Sequence, residues 1–99
     1  VLRDLRNAWG MFYALEAFAY LATAGGQFER AARLFGAAER LGETIGTFMA
    51  PSERVEHERD VAAVTAALGE AAFAAERARG RAMAQDEAIA YALEQPRPQ

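Results

Sequence analysis

Neither cysteine nor lysine occurs in this chain, and histidine, serine and tryptophan occur once each. Without cysteine there is no disulfide framework and no thiolate metal site. With Ser52 as the only serine, placed at a helix start, and His57 as the only histidine, no Ser-His-Asp set can form. There is no glycine-rich phosphate loop: Gly25-Gly26 follows a helical pattern rather than a strand, and no Gly-Lys-Ser/Thr is present. No segment alternates apolar and polar residues as a half-buried strand does, which excludes a sheet. All eleven basic residues are arginine, which reads as the codon bias of a GC-rich genome, and the net charge of −3 argues against a nucleic-acid surface. The least charged stretch, Ala8–Ala24, still holds Glu16 and two tyrosines and is interrupted by Gly10. A membrane span, which needs about 20 predominantly apolar residues, is therefore not expected.

What is present is alanine in quantity, with few β-branched residues, and this is helix composition. Ninety-nine residues make at most one domain. We expect an all-α fold of about five helices in antiparallel hairpins. The first helix spans about Leu2–Ala24, with Leu5, Ala8, Trp9, Phe12, Leu15, Ala19 and Ala22 on one stripe and Met11, Phe18 and Leu21 widening it. An apolar surface of that breadth predicts burial on most sides, more than one neighbour can supply. Gly25-Gly26 ends this helix. The second spans about Phe28–Ile45, with Phe28, Ala31, Phe35 and Ala38 facing the first and Gly46 as a left-handed stop. Its outer face carries Glu29 and Arg33 as an i,i+4 pair, and Gly36 inside it predicts close approach of a neighbour. After a loop at Thr47–Ala50, Pro51 opens the third helix, Glu53 suits its dipole and Gly69 stops it. The fourth covers about Glu70–Arg79, with Phe73 as its anchor and Gly80 as its end. The fifth begins near Gln85, turns Ile89, Ala92 and Leu93 inward with Met83 just before it, and ends at Pro96.

The Leu15–Glu43 stretch resembles a tetratricopeptide repeat. Leu15, Phe18 and Ala19 match the first helix of that pattern, and Gly26, Phe28, Ala31, Phe35 and Ala38 match its corner and second helix; the closing proline is replaced by Glu43. The rest adds a second resemblance. Pro51-x-Glu53-Arg54, Leu68-Gly69-Glu70-Ala71-x-Phe73, Gly80-Arg81-x-Met83 and Glu87-Ala88-Ile89-Ala90-Tyr91-Ala92-Leu93 are similar to a module that ends the helical-repeat region of large bacterial ATP-binding regulators. These are the LuxR-type transcriptional regulators and related SARP and cyclase-associated kinds. Ala84 departs from the Ser or Thr helix cap usual there. The resemblance implies a non-catalytic protein-interaction or sensory domain of a cytoplasmic bacterial transcriptional regulator. Its partners would be other domains of the parent protein, or a protein or small-molecule inducer. The alternative is an accessory domain of an ATPase or nucleotide-cyclase-type enzyme. On this reading residues 1–95 form a TPR-like helical domain cut from a longer chain, and residues 96–99 begin a proline-containing linker.

Few residues invite a chemical role, and no cofactor, metal or catalytic residue is expected. Glu53, His57 and Asp60 share a helical face and could offer metal ligands, but His57 also shares the face of Val61, Val64 and Leu68, where a packed ring is the simpler expectation. Glu53, Glu56, Glu58 and Asp60, interleaved with Arg54 and Arg59, read as a solvated face. Arg77, Arg79 and Arg81 read as complements to a helix C-terminus. The candidates for partner binding are Trp9, Tyr13 and Tyr20, with the two tyrosines on one face of the first helix. The surplus apolar surface of that helix also predicts a homodimer through it, near Trp9 and Met11.

Overall fold

The computed structural model describes residues 2–46 and 51–94, with side chains from Asn7 onward. The Thr47–Ala50 loop, the side chain of Leu5 and the tail with Pro96 lie outside the described residues. Five helices follow in order: α1 (Leu2–Ala24), α2 (Phe28–Ile45), α3 (Pro51–Leu68), α4 (Glu70–Arg81) and α5 (Gln85–Leu93). Among the described residues there is no strand, and no helix is long and apolar enough to cross a membrane.

The two glycines after α1 act as expected. Gly26 takes φ 77°. Gln27 N–H donates to Ala22 O at 2.8 Å and Gly26 N–H to Thr23 O at 3.2 Å. This pair of bonds is a Schellman ending, and it satisfies carbonyls that the helix leaves open. The chain reverses there, so α1 and α2 pack antiparallel: Tyr20 meets Phe35, while Leu15, earlier in α1, lies beside Leu41, later in α2. Gly46 closes α2 at φ 72°, its N–H bonded to Gly42 O. Gly69, at φ 89°, separates α3 from α4.

α2 is the hub. Ala31, Ala32, Gly36, Ala37, Ala38 and Gly42 are all buried on it, together with Leu34, Phe35 and Leu41. Small residues around its circumference let neighbours approach from several directions. α1 covers one side with Ala8, Phe12, Leu15, Ala19 and Ala22, all buried. α5 lies over the seam between α1 and α2, burying Ala88 and Ala92 with the partly buried Met11, Phe18 and Met83 packed around that core. It is held at its end by Arg30, whose Nη2 donates to Ala92 O at 2.6 Å while its guanidinium lies over the Tyr91 ring. A cation at a helix C-terminus is favoured by the dipole. α5 starts without a side-chain cap at Ala84. Half of a capping box survives, since the Ala84 N–H donates to Glu87 Oε1 at 3.2 Å.

α4 approaches α2 closely, backbone against backbone. A Cβ placed on Gly36 would lie 2.1 Å from Arg77 O, and one placed on Gly80 would lie 1.9 Å from Arg33 O. Each glycine admits the backbone of the other helix. This corrects two sequence readings. Gly80 does not end α4; it is buried inside a helix that runs on to Arg81. Arg33 is not on an outer face paired with Glu29; its Nε donates to Glu76 across the α2–α4 seam. Partner numbers rise together along the seam, from Arg33–Glu76 through Glu39–Arg77 to Glu43–Arg81. α4 therefore runs alongside α2 in the same sense.

Candidate functional site

With α4 set against α2, α3 comes to stand beside α1 on the other side of the molecule. Between them lies a groove of about 240 Å³, lined by Tyr13, Glu16, Ala17 and Tyr20 of α1 and by Glu53 and Glu56 of α3. Behind its Tyr20 wall three rings meet edge to face. Phe35, only 1% exposed, meets the His57 ring edge-on at 5.2 Å and the Tyr20 ring at 5.8 Å. Tyr20 and His57 themselves lie 6.4 Å apart. One side chain from each of α1, α2 and α3 is thus locked at a single point, with Val64 fully buried nearby in the same core.

The electrostatics follow from this half-buried setting. Tyr20 OH donates to Glu16 Oε2 at 3.4 Å and lies 3.4 Å from His57 Nδ1. Burial, followed by the charge of Glu16, pushes the Tyr20 hydroxyl up to about 12. Burial also raises the Glu16 carboxyl; the Tyr20 hydrogen bond opposes this and the charge of Glu53 adds to it. Burial lowers the His57 imidazole against the pull of Glu39, Asp60 and Glu58. A desolvated group titrates toward its neutral form, and all three follow that rule.

The Tyr20 shift has a measurable sign. Its folded value lies above the value of about 10 expected for an unfolded tyrosine. The stabilisation is fully present below that unfolded value and is lost as pH rises through about 12. In a spectrophotometric titration one tyrosinate step should come near pH 12, and Tyr20→Phe should remove it. A late step that survives in the variant would contradict the assignment.

The structure brings together Tyr13 and Tyr20 but not Trp9. Trp9 packs beyond the groove as one ring of a cluster, 6.0 Å from Tyr13 and 6.5 Å from Phe12. Of the acidic residues of α3, Glu53 and Glu56 line the groove and remain exposed, in keeping with a solvated face. His57 packs as a ring on Phe35, and among the described residues no group of three or more His, Cys, Asp or Glu is arranged to hold a metal ion. Arg77 and Arg81 are occupied across the α2–α4 seam by Glu39 and Glu43, and Arg79 by the buried Glu76. Arg79 and Arg81 also stand in the last turn of α4, where the sequence places them as complements of the helix end.

Past the groove, α1 carries an uncharged strip between Gly10 and Ala24. Gly10, Tyr13, Ala14, Ala17, Leu21 and Ala24 share it, with Tyr13 58% and Leu21 67% exposed. Leu93 of α5 is exposed as well and borders a second hollow with Phe18, Leu21 and Arg30.

Comparison of the chain with protein-family models, with curated proteins and with solved structures finds no match to any of them.

Proposed function

We propose that this chain is a non-catalytic protein-interaction or sensory module of a cytoplasmic bacterial transcriptional regulator, with the α1–α3 groove as its binding face. The observation that carries the reading is the pairing of hairpins. α1–α2 and α3–α4 are joined through α2 and α4 running in the same sense. This leaves the first helix of each hairpin side by side around an open groove. Stacked helical hairpins create extended concave surfaces in this way, and such surfaces serve binding. The tetratricopeptide-like residues Leu15, Phe18, Ala19, Phe28, Ala31, Phe35 and Ala38 support the same arrangement, since all of them fall in or against the core. The resemblance of the 51–93 region to bacterial regulators supplies the regulatory setting.

The test is made at the chromosomal gene. Deletion should change a defined set of transcripts, and Tyr13→Arg with Ala17→Arg should change the same set at unchanged protein level. Both residues are exposed, so the double variant should keep its fold. A deletion that leaves transcripts unaltered overturns the regulatory reading. A deletion that changes them while the groove variant does not removes the groove from it.

A further inference from the structure

The partner's chemistry can be taken further, on the basis of that reading. We propose that the α1–α3 groove docks an amphipathic basic segment of a partner protein, seating an arginine or lysine between Tyr13, Tyr20 and the carboxylates of Glu16 and Glu56, with the segment's apolar side chains laid along Tyr13, Ala17 and Leu21 of α1.

Three observations meet here. First, the groove walls combine aromatic rings with carboxylates from two different helices. A guanidinium can lie on a tyrosine face while it donates to carboxylates, and the two attractions reinforce each other in a partly desolvated site. Second, the arginines of the α2–α4 seam are already engaged, while the groove lining carries carboxylates. Arg33, Arg77, Arg79 and Arg81 are gathered on the α2–α4 seam, each bound to a glutamate there. The groove on the opposite side is lined by three glutamates and no arginine. Carboxylates in the lining favour a cation over an acidic segment. Third, the groove does not end at its carboxylates. Tyr13, Ala17 and Leu21 continue it as an uncharged strip along α1, with Leu21 largely exposed. A small polyamine would leave that strip bare, whereas a helix with apolar residues at i and i+4 beside its cations would cover it. The raised Glu16 carboxyl fits the same account, because a seated cation offsets the desolvation and the Glu53 charge that raise it.

The experiment is calorimetric titration of the purified chain with a synthetic peptide of about 18 residues, long enough to hold a helix. The peptide carries leucine at i,i+4 on one face and arginine beside it. Two further peptides replace every arginine by glutamine, or every leucine by serine. We expect the arginine–leucine peptide to bind with micromolar affinity and both others to bind more weakly. Glu16→Gln with Glu56→Gln should lower the affinity at least about tenfold, as should Tyr13→Ala, where tenfold corresponds to about 1.4 kcal/mol. Circular dichroism and a melting curve confirm that each variant is folded. Glu70→Gln and Glu94→Gln, outside the groove, should change nothing. No binding, equal binding of the glutamine peptide, or an equal loss from Glu70→Gln would overturn the proposal. Displacement of the peptide by spermidine at equal concentration would overturn it in favour of a polyamine site. Failure here with an intact transcript response to Tyr13→Arg/Ala17→Arg removes the basic partner and leaves the regulatory reading. Peptide binding without any transcript response does the reverse.

Discussion

Replacing Phe35 by alanine should cost this fold about 3–5 kcal/mol, the range for deleting a large buried ring. The ring is 1% exposed and touches Tyr20 and His57 on two other helices. Its loss opens a cavity where α1, α2 and α3 meet. A chain of this size holds only about 5–15 kcal/mol in total, so the variant should melt early in urea. The consequences should extend to the groove. Tyr20 and His57 lose the surface that buries them, so the late tyrosinate step should move back toward an ordinary tyrosine and the imidazole toward an ordinary histidine. Urea denaturation with the tyrosinate titration checks both. A loss below about 1 kcal/mol, the size expected of a partly exposed site, would show that the rings do not tie the three helices together.

The second large effect is expected from a methyl group. Alanine is normally a better helix residue than glycine by about 1 kcal/mol, and at Gly10, where a Cβ would meet nothing within 4 Å, Gly10→Ala should stabilise the chain by about that amount. Gly36→Ala and Gly80→Ala should do the opposite. The new Cβ would lie 2.1 Å from Arg77 O in the first and 1.9 Å from Arg33 O in the second. The obstructing atoms are backbone, so no side chain can give way and the helices must part. Overpacking costs typically 1–3 kcal/mol and occasionally more, and we expect a net loss near 3 kcal/mol for either change. The double variant should lose less than the sum, because helices already separated accommodate the second methyl. Equilibrium unfolding of the four variants decides the matter. Stabilisation by Gly36→Ala equal to that by Gly10→Ala would contradict the close crossing.

These glycines also show what the sequence could and could not tell. Gly26, Gly46 and Gly69 were legible as stops, because each follows a helical pattern and takes a left-handed conformation. Gly80 looks the same locally, but it serves by its missing Cβ rather than by its backbone freedom. A signal was available: Arg33-Leu34-Phe35-Gly36 and Arg77-Ala78-Arg79-Gly80 share an arginine three residues before a glycine, and each glycine receives the backbone at the other's arginine. Only the pairing of α2 with α4, a long-range event, gives that repetition a meaning. The position of α5 was hidden for the same reason. Of the residues expected to face inward Ala92 is buried, but Leu93 is 64% exposed and Ala88 is buried in its stead, because the helix packs over the seam between α1 and α2. The broad apolar surface of α1 is thus partly accounted for within the chain, through Met11 and Phe18 against α5, while Tyr13 and Leu21 stay exposed.

The candidate site was half legible. Tyr13 and Tyr20 share a helical face by their spacing alone. Their carboxylate partners come from α3, and a run of Glu, Arg and Asp on one helix gives no sign of which members meet a neighbour. Trp9 was grouped with the tyrosines because it is aromatic and close in sequence, yet it packs on Phe12 and Tyr13 outside the groove. Arg77 and Arg81 pair with Glu39 and Glu43 of α2, a match of charges between helices that their position near a helix end conceals, while Arg79 pairs with Glu76 within α4.

The central claim is that the molecule holds itself together through α2 and α4 and presents α1 and α3 to a basic partner. Amide chemical-shift mapping by nuclear magnetic resonance tests it most directly, with the arginine–leucine peptide titrated into the chain. The account predicts shifts concentrated at Tyr13–Tyr20 and at Glu53–His57, with the amides of the α2–α4 seam around Gly36 and Gly80 unmoved. Shifts centred on that seam, or on Leu21 and Leu93 with the groove silent, would contradict it.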